Sequence, residues 1–198
     1  MTAAQASSHP VFRELFPDEI LSAGQLAAVT NVTFLATSIA QADPLDSGGD
    51  ASAFRLLYEH FRSLEEIVHQ QEGTVVKTWE DGLLAVFYHA EQAIRAGLNA
   101  LAQESPSDPE IRLGVHRGPA MAVTMNDRLD YFGATVKQSL QTPQFAEPGE
   151  LVLSQPVASD PNVAALLQER AYEGHILPNR FLDRSEIMMQ RWVKREMV

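Results

Sequence analysis

Cysteine is missing from the 198 residues altogether. A disulfide framework and a thiolate metal site are therefore both excluded. Positive charge is scarce: 15 Lys and Arg stand against 26 Asp and Glu, a net charge of −11. That argues against nucleic acid, which needs clustered cations, and against an anionic membrane surface. No apolar run reaches the ~18 residues of a spanning helix. The opening MTAAQASSHP lacks the basic and apolar regions of a signal peptide. These absences describe a cytoplasmic chain. Widespread catalytic signatures are absent as well: no G-x-x-x-x-G-K, G-x-G-x-x-G, G-x-S-x-G or H-E-x-x-H occurs. The six histidines (His9, His60, His69, His89, His116, His175) show no ligand-like spacing and read as surface or core-edge imidazoles.

What is present suits a folded domain, with 45% hydrophobic and 21% charged residues. Residues 1–29 read as an extension whose Val11, Phe12, Leu15, Phe16, Ile20 and Leu21 supply a short docking helix broken at Pro17. Residues 30–198 read as one domain. VTFLATSI is its first strand, followed by the turn-rich QADPLDSGGD, where Gly48-Gly49 is a weak phosphate cradle. Asp50 is the expected N-cap of the next helix, in which Phe54, Leu57, Tyr58, Phe61, Leu64 and Val68 recur at spacings of three and four. That helix stops near Gly73. TVVKTW and LLAVFY pair as a hairpin through E-D-G, and AEQAIRAGLNALAQ is a second amphipathic helix. IRLGVHRG and AMAVTM are two further strands, NDRLDYFG a loop, and ATVKQSLQTPQF a helix ended by Pro143 or shortly after it. ELVLS is a strand, VAALLQER a short helix, and AYEGHIL and IMMQRWV are edge strands. The order β-α-β-β-α-β-β-α-β implies an α+β fold, a mostly antiparallel sheet with helices on one face, related to the ferredoxin-like plan.

Three stretches then belong together: VTFLATSI, GTVVKTWEDGLLAVF, and IRLGVHRGPAMAVTMNDRLDYFGATVKQSLQ with PGELVLS behind it. In this order and spacing they resemble the catalytic domain of class III adenylate and guanylate cyclases, over roughly residues 30–155. The resemblance implies attack of a ribose 3′-oxygen on the α-phosphate of a nucleoside triphosphate, with two metal ions, Mg²⁺ or Mn²⁺, activating the nucleophile and neutralising the phosphates. It implies a head-to-tail dimer with active sites at the interface, either of two copies or with another cyclase-like chain.

The resemblance assigns the parts residue by residue. Asp81 matches one metal carboxylate, and Ser38 stands where the other is expected. A hydroxyl is a poor ligand for Mg²⁺. Asp43 and Asp46 follow in the loop, but nothing in their spacing carries them back. Lys77 and Asp130 match the pair that reads the base, and together they resemble the adenine-selecting version: an ammonium donates to N1 and a carboxylate accepts from the N6 amine. T-V-K-Q-S-L-Q stands where T-V-N-x-A-x-R is expected. Lys137 thus replaces the asparagine that orients the ribose, and Gln141 replaces the arginine that takes up charge in the transition state. Glu80 stands where glycine is usual, and Trp79 reads as core or interface packing. Plainer roles stay open for the retained residues: Asp81 as a turn former, Lys77 as a solvated or ion-paired strand lysine, Asp130 as a partner of Arg128.

With Ser38, Lys137 and Gln141 all altered, the expectation is a degenerate domain that is not an enzyme and serves as a regulatory or dimerisation module in signalling, without a resident cofactor. The alternatives are a weak or heterodimer-dependent adenylate cyclase making cyclic AMP, and a sensor that binds ATP with its Mg²⁺ or Mn²⁺ without turnover.

Overall fold

A computed structural model describes residues 26–40, 49–103, 109–125, 128–181 and 187–194. The expected docking segment at Val11–Leu21, the loop acids Asp43 and Asp46, and Gly48 lie outside them.

The chain runs β1 (Leu26–Ile39), α1 (Asp50–Gln70), β2 (Thr74–Trp79), β3 (Gly82–Phe87), α2 (Ala90–Gln103), β4 (Ile111–Met125), β5 (Arg128–Phe132) and α3 (Ala134–Gln141). A 3-10 turn (Thr142–Phe145), β6 (Leu151–Ser154), α4 (Gln155–Ala158), α5 (Pro161–Glu169), β7 (Tyr172–Phe181) and β8 (Met188–Lys194) follow. The eight strands form one sheet in the order β2-β3-β1-β4-β6-β8-β7, with β5 pairing β4 off that path. Only β4–β6 is parallel; every other pair is antiparallel. The α+β, mostly antiparallel expectation is therefore what the chain forms.

Its helices, however, cover both faces rather than one. Strand alternation sends Leu35, Leu83, Ala85, Phe87, Leu113 and Leu153 into a first core with α1, α2 and α5. Phe34, Ala36, Leu84 and Val86 go to a second core with β5 and Val136 of α3. Gly114 shows why α3 and its 3-10 extension lie on that second face: a Cβ there would meet Thr142 at 2.6 Å and Pro143 at 2.7 Å.

Local chemistry accounts for the other departures. Asp50 is not the N-cap; Gly49, at φ 75°, holds that place and Asp50 is the first helical residue, where its charge suits the helix dipole. Only Leu64, Ile67 and Val68 of α1 are buried, so the N-terminal half of its apolar stripe stays open, with Phe54 71% exposed. Residues 111–125 form one strand, not two. Pro119 interrupts nothing, because Val29 pairs Ala120 while Val32 pairs Gly118. Thr30 and Asn31 thus oppose Pro119 in a bulge, where its missing N–H leaves no ladder bond unmade. Arg128–Phe132 is a strand rather than a loop, with Leu129 and Tyr131 turned inward between the outward-facing Arg128, Asp130 and Phe132. Pro143 ends the α-helical hydrogen bonding of α3 but enters the first turn of the 3-10 segment that continues it. Finally, β7 is an edge strand, whereas β8 lies between β6 and β7.

Candidate functional site

The turn of the β2–β3 hairpin is two residues, Glu80 and Asp81, between the paired Trp79 and Gly82. Neither turn residue has positive φ, so the glycine-dependent primed turn expected of D-G is not formed. Gly82 is required for another reason. It is buried, and a Cβ there would overlap the Thr37 carbonyl oxygen and the Trp79 ring. The close approach docks the hairpin on the end of β1: Ser38 pairs Gly82, the Ile39 N–H donates to the Asp81 carbonyl oxygen at 2.7 Å, and the Leu83 N–H donates to Thr37 Oγ1 at 3.1 Å. Ser38 is half-buried and Asp81 exposed. The two positions the resemblance assigns to metal binding are thus neighbours across the strands. Their donor set is one carboxylate and one hydroxyl, with the exposed Glu80 beside them. Among the described residues no group of three or more His, Asp or Glu converges. Two hard divalent ions need several carboxylate or phosphate oxygens each, and this set does not fit them.

A second bulge governs Lys77. Val75 pairs Ala85, but Lys77 pairs Leu84, so Val76 is an inserted residue. Simple alternation from Val75 would turn Lys77 toward the first core. The insertion turns it instead to the face of Leu84, where β5 lies. There Lys77 Nζ meets Asp130 Oδ2 at 2.8 Å, with the side chains 36% and 22% exposed. Asp130 Oδ1 accepts from the Tyr131 N–H at 2.7 Å. Two residues 53 apart in sequence are brought together, and Asp130's partner is Lys77 rather than Arg128. Beside them a groove of about 470 Å³ runs between α1 and β2, lined by Phe54, Tyr58, Phe61, Lys77, Glu80 and Arg128. Phe54 and Tyr58 stack at 6.3 Å on its rim.

Lys137 and Gln141 lie one turn apart on α3, Lys137 exposed and Gln141 half-buried. The helix is fixed from its other side, where Thr135, Val136 and Ser139 are buried and Thr135 Oγ1 donates to the Pro119 carbonyl at 2.5 Å. The bulge in β1 and β4 therefore also seats α3.

His116 was expected at the surface or core edge and is instead buried, 1% exposed. Its Nδ1 lies 2.8 Å from Ser154 Oγ and its Nε2 3.2 Å from Gln138 Oε1, which ties β4, β6 and α3 together. Burial lowers its pKa to about 4, and the Gln138 bond only partly opposes that. A neutral ring that donates from Nε2 to Gln138 and accepts at Nδ1 from Ser154 satisfies both nitrogens. The available signal was position: His116 shares the face of Gly114 in a strand whose other face is Leu113 and Val115. Next to it, Arg117 donates to Asn31 Oδ1 at 2.7 Å and to Asp160 Oδ2 at 2.8 Å, joining the β1 bulge to the N-cap of α5.

Comparison with known proteins follows this geometry. The family model for the adenylate and guanylate cyclase catalytic domain matches residues 25–174. The catalytic core of a rhodopsin-guanylyl cyclase with converted specificity, solved with ATPalphaS, superposes with a TM-score of 0.74 at 17% identity, covering 87% of this chain and 100% of that one. The non-canonical dimeric guanylyl cyclase domain of the RhoGC fusion protein from the aquatic fungus Blastocladiella emersonii gives 0.68 at 16% identity, over 87% and 99% of the two chains. The adenylyl cyclase CyaB from P. aeruginosa gives 0.67 at 16% identity, over 87% and 97%. At these identities the likeness is one of fold. No curated protein matches the chain by sequence.

Proposed function

The chain belongs to the adenylate and guanylate cyclase catalytic-domain family, and from that premise we propose that it is a member which no longer cyclises nucleotide and acts as a regulatory, dimerising module in signalling. The observation that carries this is the end of β1: Ser38, opposite Gly82 and next to Asp81, supplies a hydroxyl where the chemistry needs a second carboxylate. Gln141 adds an independent loss, since glutamine carries no charge to stabilise the phosphates. Losing such an arginine costs on the order of 10³–10⁵ in rate, roughly 4–7 kcal/mol. Neither half of a shared site is complete. One half keeps a single metal acid, and the other keeps the base pair without asparagine or arginine, so simple complementation by a partner restores neither.

Exposed apolar side chains support the dimerising role. Leu26, Met125 and Phe132 on the β1–β4–β5 end are 64%, 55% and 69% exposed, and Phe54 and Tyr58 extend the surface onto α1. A second copy, or another cyclase-like chain, is the occupant we assign to it. No described helix is long and apolar enough to cross a membrane.

The test is ATP titration with Mg²⁺ by calorimetry, followed by an assay for cyclic AMP, on the purified protein. We expect no cyclic AMP above background. Cyclic AMP formation that Asp81→Ala abolishes would sink the reading and make the chain an adenylate cyclase. A second reading, an ATP sensor without turnover, draws on the proximity of Lys77 and Asp130. Saturable ATP binding weakened by Lys77→Ala would favour it; affinity unchanged by that substitution would remove it.

A further inference from the structure

Strand β5 is held along one edge only, because it pairs β4 and no other described strand. Leu129 and Tyr131 anchor its inner side, Tyr131 standing edge-on to Phe34 at 5.4 Å. On its outer side the connection to the sheet is Asp130, which reaches across to Lys77 on the β2 edge. That reach depends on the inserted Val76, which re-aims Lys77 to the face where β5 lies. Both carboxylate oxygens of Asp130 are engaged, one by the Lys77 ammonium and one by the Tyr131 N–H. The pair that the family resemblance assigns to base reading thus also ties β5 to β2.

We propose that Lys77 and Asp130 form a latch which holds the β4–β5 hairpin down on the β2 edge. The consequence rests on the dimerising role given above: Met125 and Phe132 ride on the latched hairpin, so the latch fixes how that apolar surface is presented. The ion pair is partly solvated, so its effect on local opening is modest, about two- to five-fold.

The test is amide hydrogen exchange on the full chain. Lys77→Gln and Asp130→Asn should each speed exchange at Leu129–Phe132 by about two- to five-fold, with α2 amides unchanged as proof that the fold is kept. The charge-swapped double variant, Lys77→Asp with Asp130→Lys, should return β5 exchange toward the parent rate, which a generic loss of structure would not do. Unchanged exchange in the single variants overturns the latch. So does a swapped variant as fast as the singles. Sedimentation of the same samples reads self-association separately: a monomer throughout, with the exchange pattern as expected, would sink the dimerising role and leave the latch standing.

Discussion

The middle of β2 and the turn that follows it behave differently. In the middle, Lys77 finds Asp130 and both are consumed in a contact that ties two distant segments together. At the turn, Asp81 contributes its backbone carbonyl to β1, while its carboxylate is exposed beside Ser38. The fold uses the side chains in the strand and only the main chain at the turn. Such a scaffold tolerates the loss of a metal acid without losing shape, because nothing in the packing leans on that carboxylate. The charged pair, by contrast, has a structural task that needs no nucleotide.

The sharpest way to break this contrast is to rebuild the weak side. Ser38→Asp with Lys137→Asn and Gln141→Arg restores the metal acid, the ribose orienter and the charge stabiliser, and cyclic AMP formation is expected to rise above background. The arginine alone accounts for on the order of 10³–10⁵ in rate. No activity in the rebuilt protein would mean that the backbone around Ser38 and α3 has itself departed from the active geometry.

A smaller effect probes how α3, which carries two of the altered positions, is anchored. Above pH 6.5, His116 is neutral in both folded and unfolded chains. Below it, the unfolded ring takes up a proton that the folded ring, with its pKa near 4, refuses. Stability from this residue is therefore lost as pH falls from about 6.5 to about 4, by an amount on the order of 3 kcal/mol. Denaturant midpoints measured across that window should fall less steeply in His116→Gln than in the parent. Equal slopes would mean that the ring titrates normally.

The smallest effect separates backbone from side chain at the hairpin turn. Gly82→Ala forces a Cβ into the Thr37 carbonyl and the Trp79 ring and should cost about 1–3 kcal/mol. Asp81→Ala, one residue away, should change stability by no more than about 0.5 kcal/mol. Thermal melts of the two variants suffice, and comparable losses would contradict the division of labour drawn above.

Much of the sheet was legible in the sequence because apolar periodicity reports burial directly. VTFLATSI, TVVKTW and LLAVF alternate or run apolar as their depth requires, and the amphipathic spacing of α1 and α2 is plain. The misreadings share a cause: single inserted residues and pairings set by distant strands. Pro119 looked like a break because its bulge partners, Thr30 and Asn31, lie far back in the chain. Lys77 could not be given a face, since Val76 shifts the register only once β3 is in place. Arg128–Phe132 looked like a loop because Arg128 and Asp130 on its outer side hide the inward alternation of Leu129 and Tyr131. Of the candidate site, the meeting of Lys77 with Asp130 and of Ser38 with Asp81 was implied by the family resemblance and not by periodicity, while the burial of His116 depends on α3 crossing a face that periodicity alone left bare.

The strand order also bears on how the molecule is made. Among the described residues, strand β7 pairs only β8, and β8 in turn pairs β6. As the chain leaves the ribosome, Tyr172–Phe181 therefore emerges with no sheet edge to join, while Leu151–Ser154 waits with one side unpaired. Synthesis proceeds at about 5–20 residues per second, so this interval is brief, yet it exposes two strand edges at once. Met188–Lys194 covers both edges when it pairs, since it lies between β6 and β7.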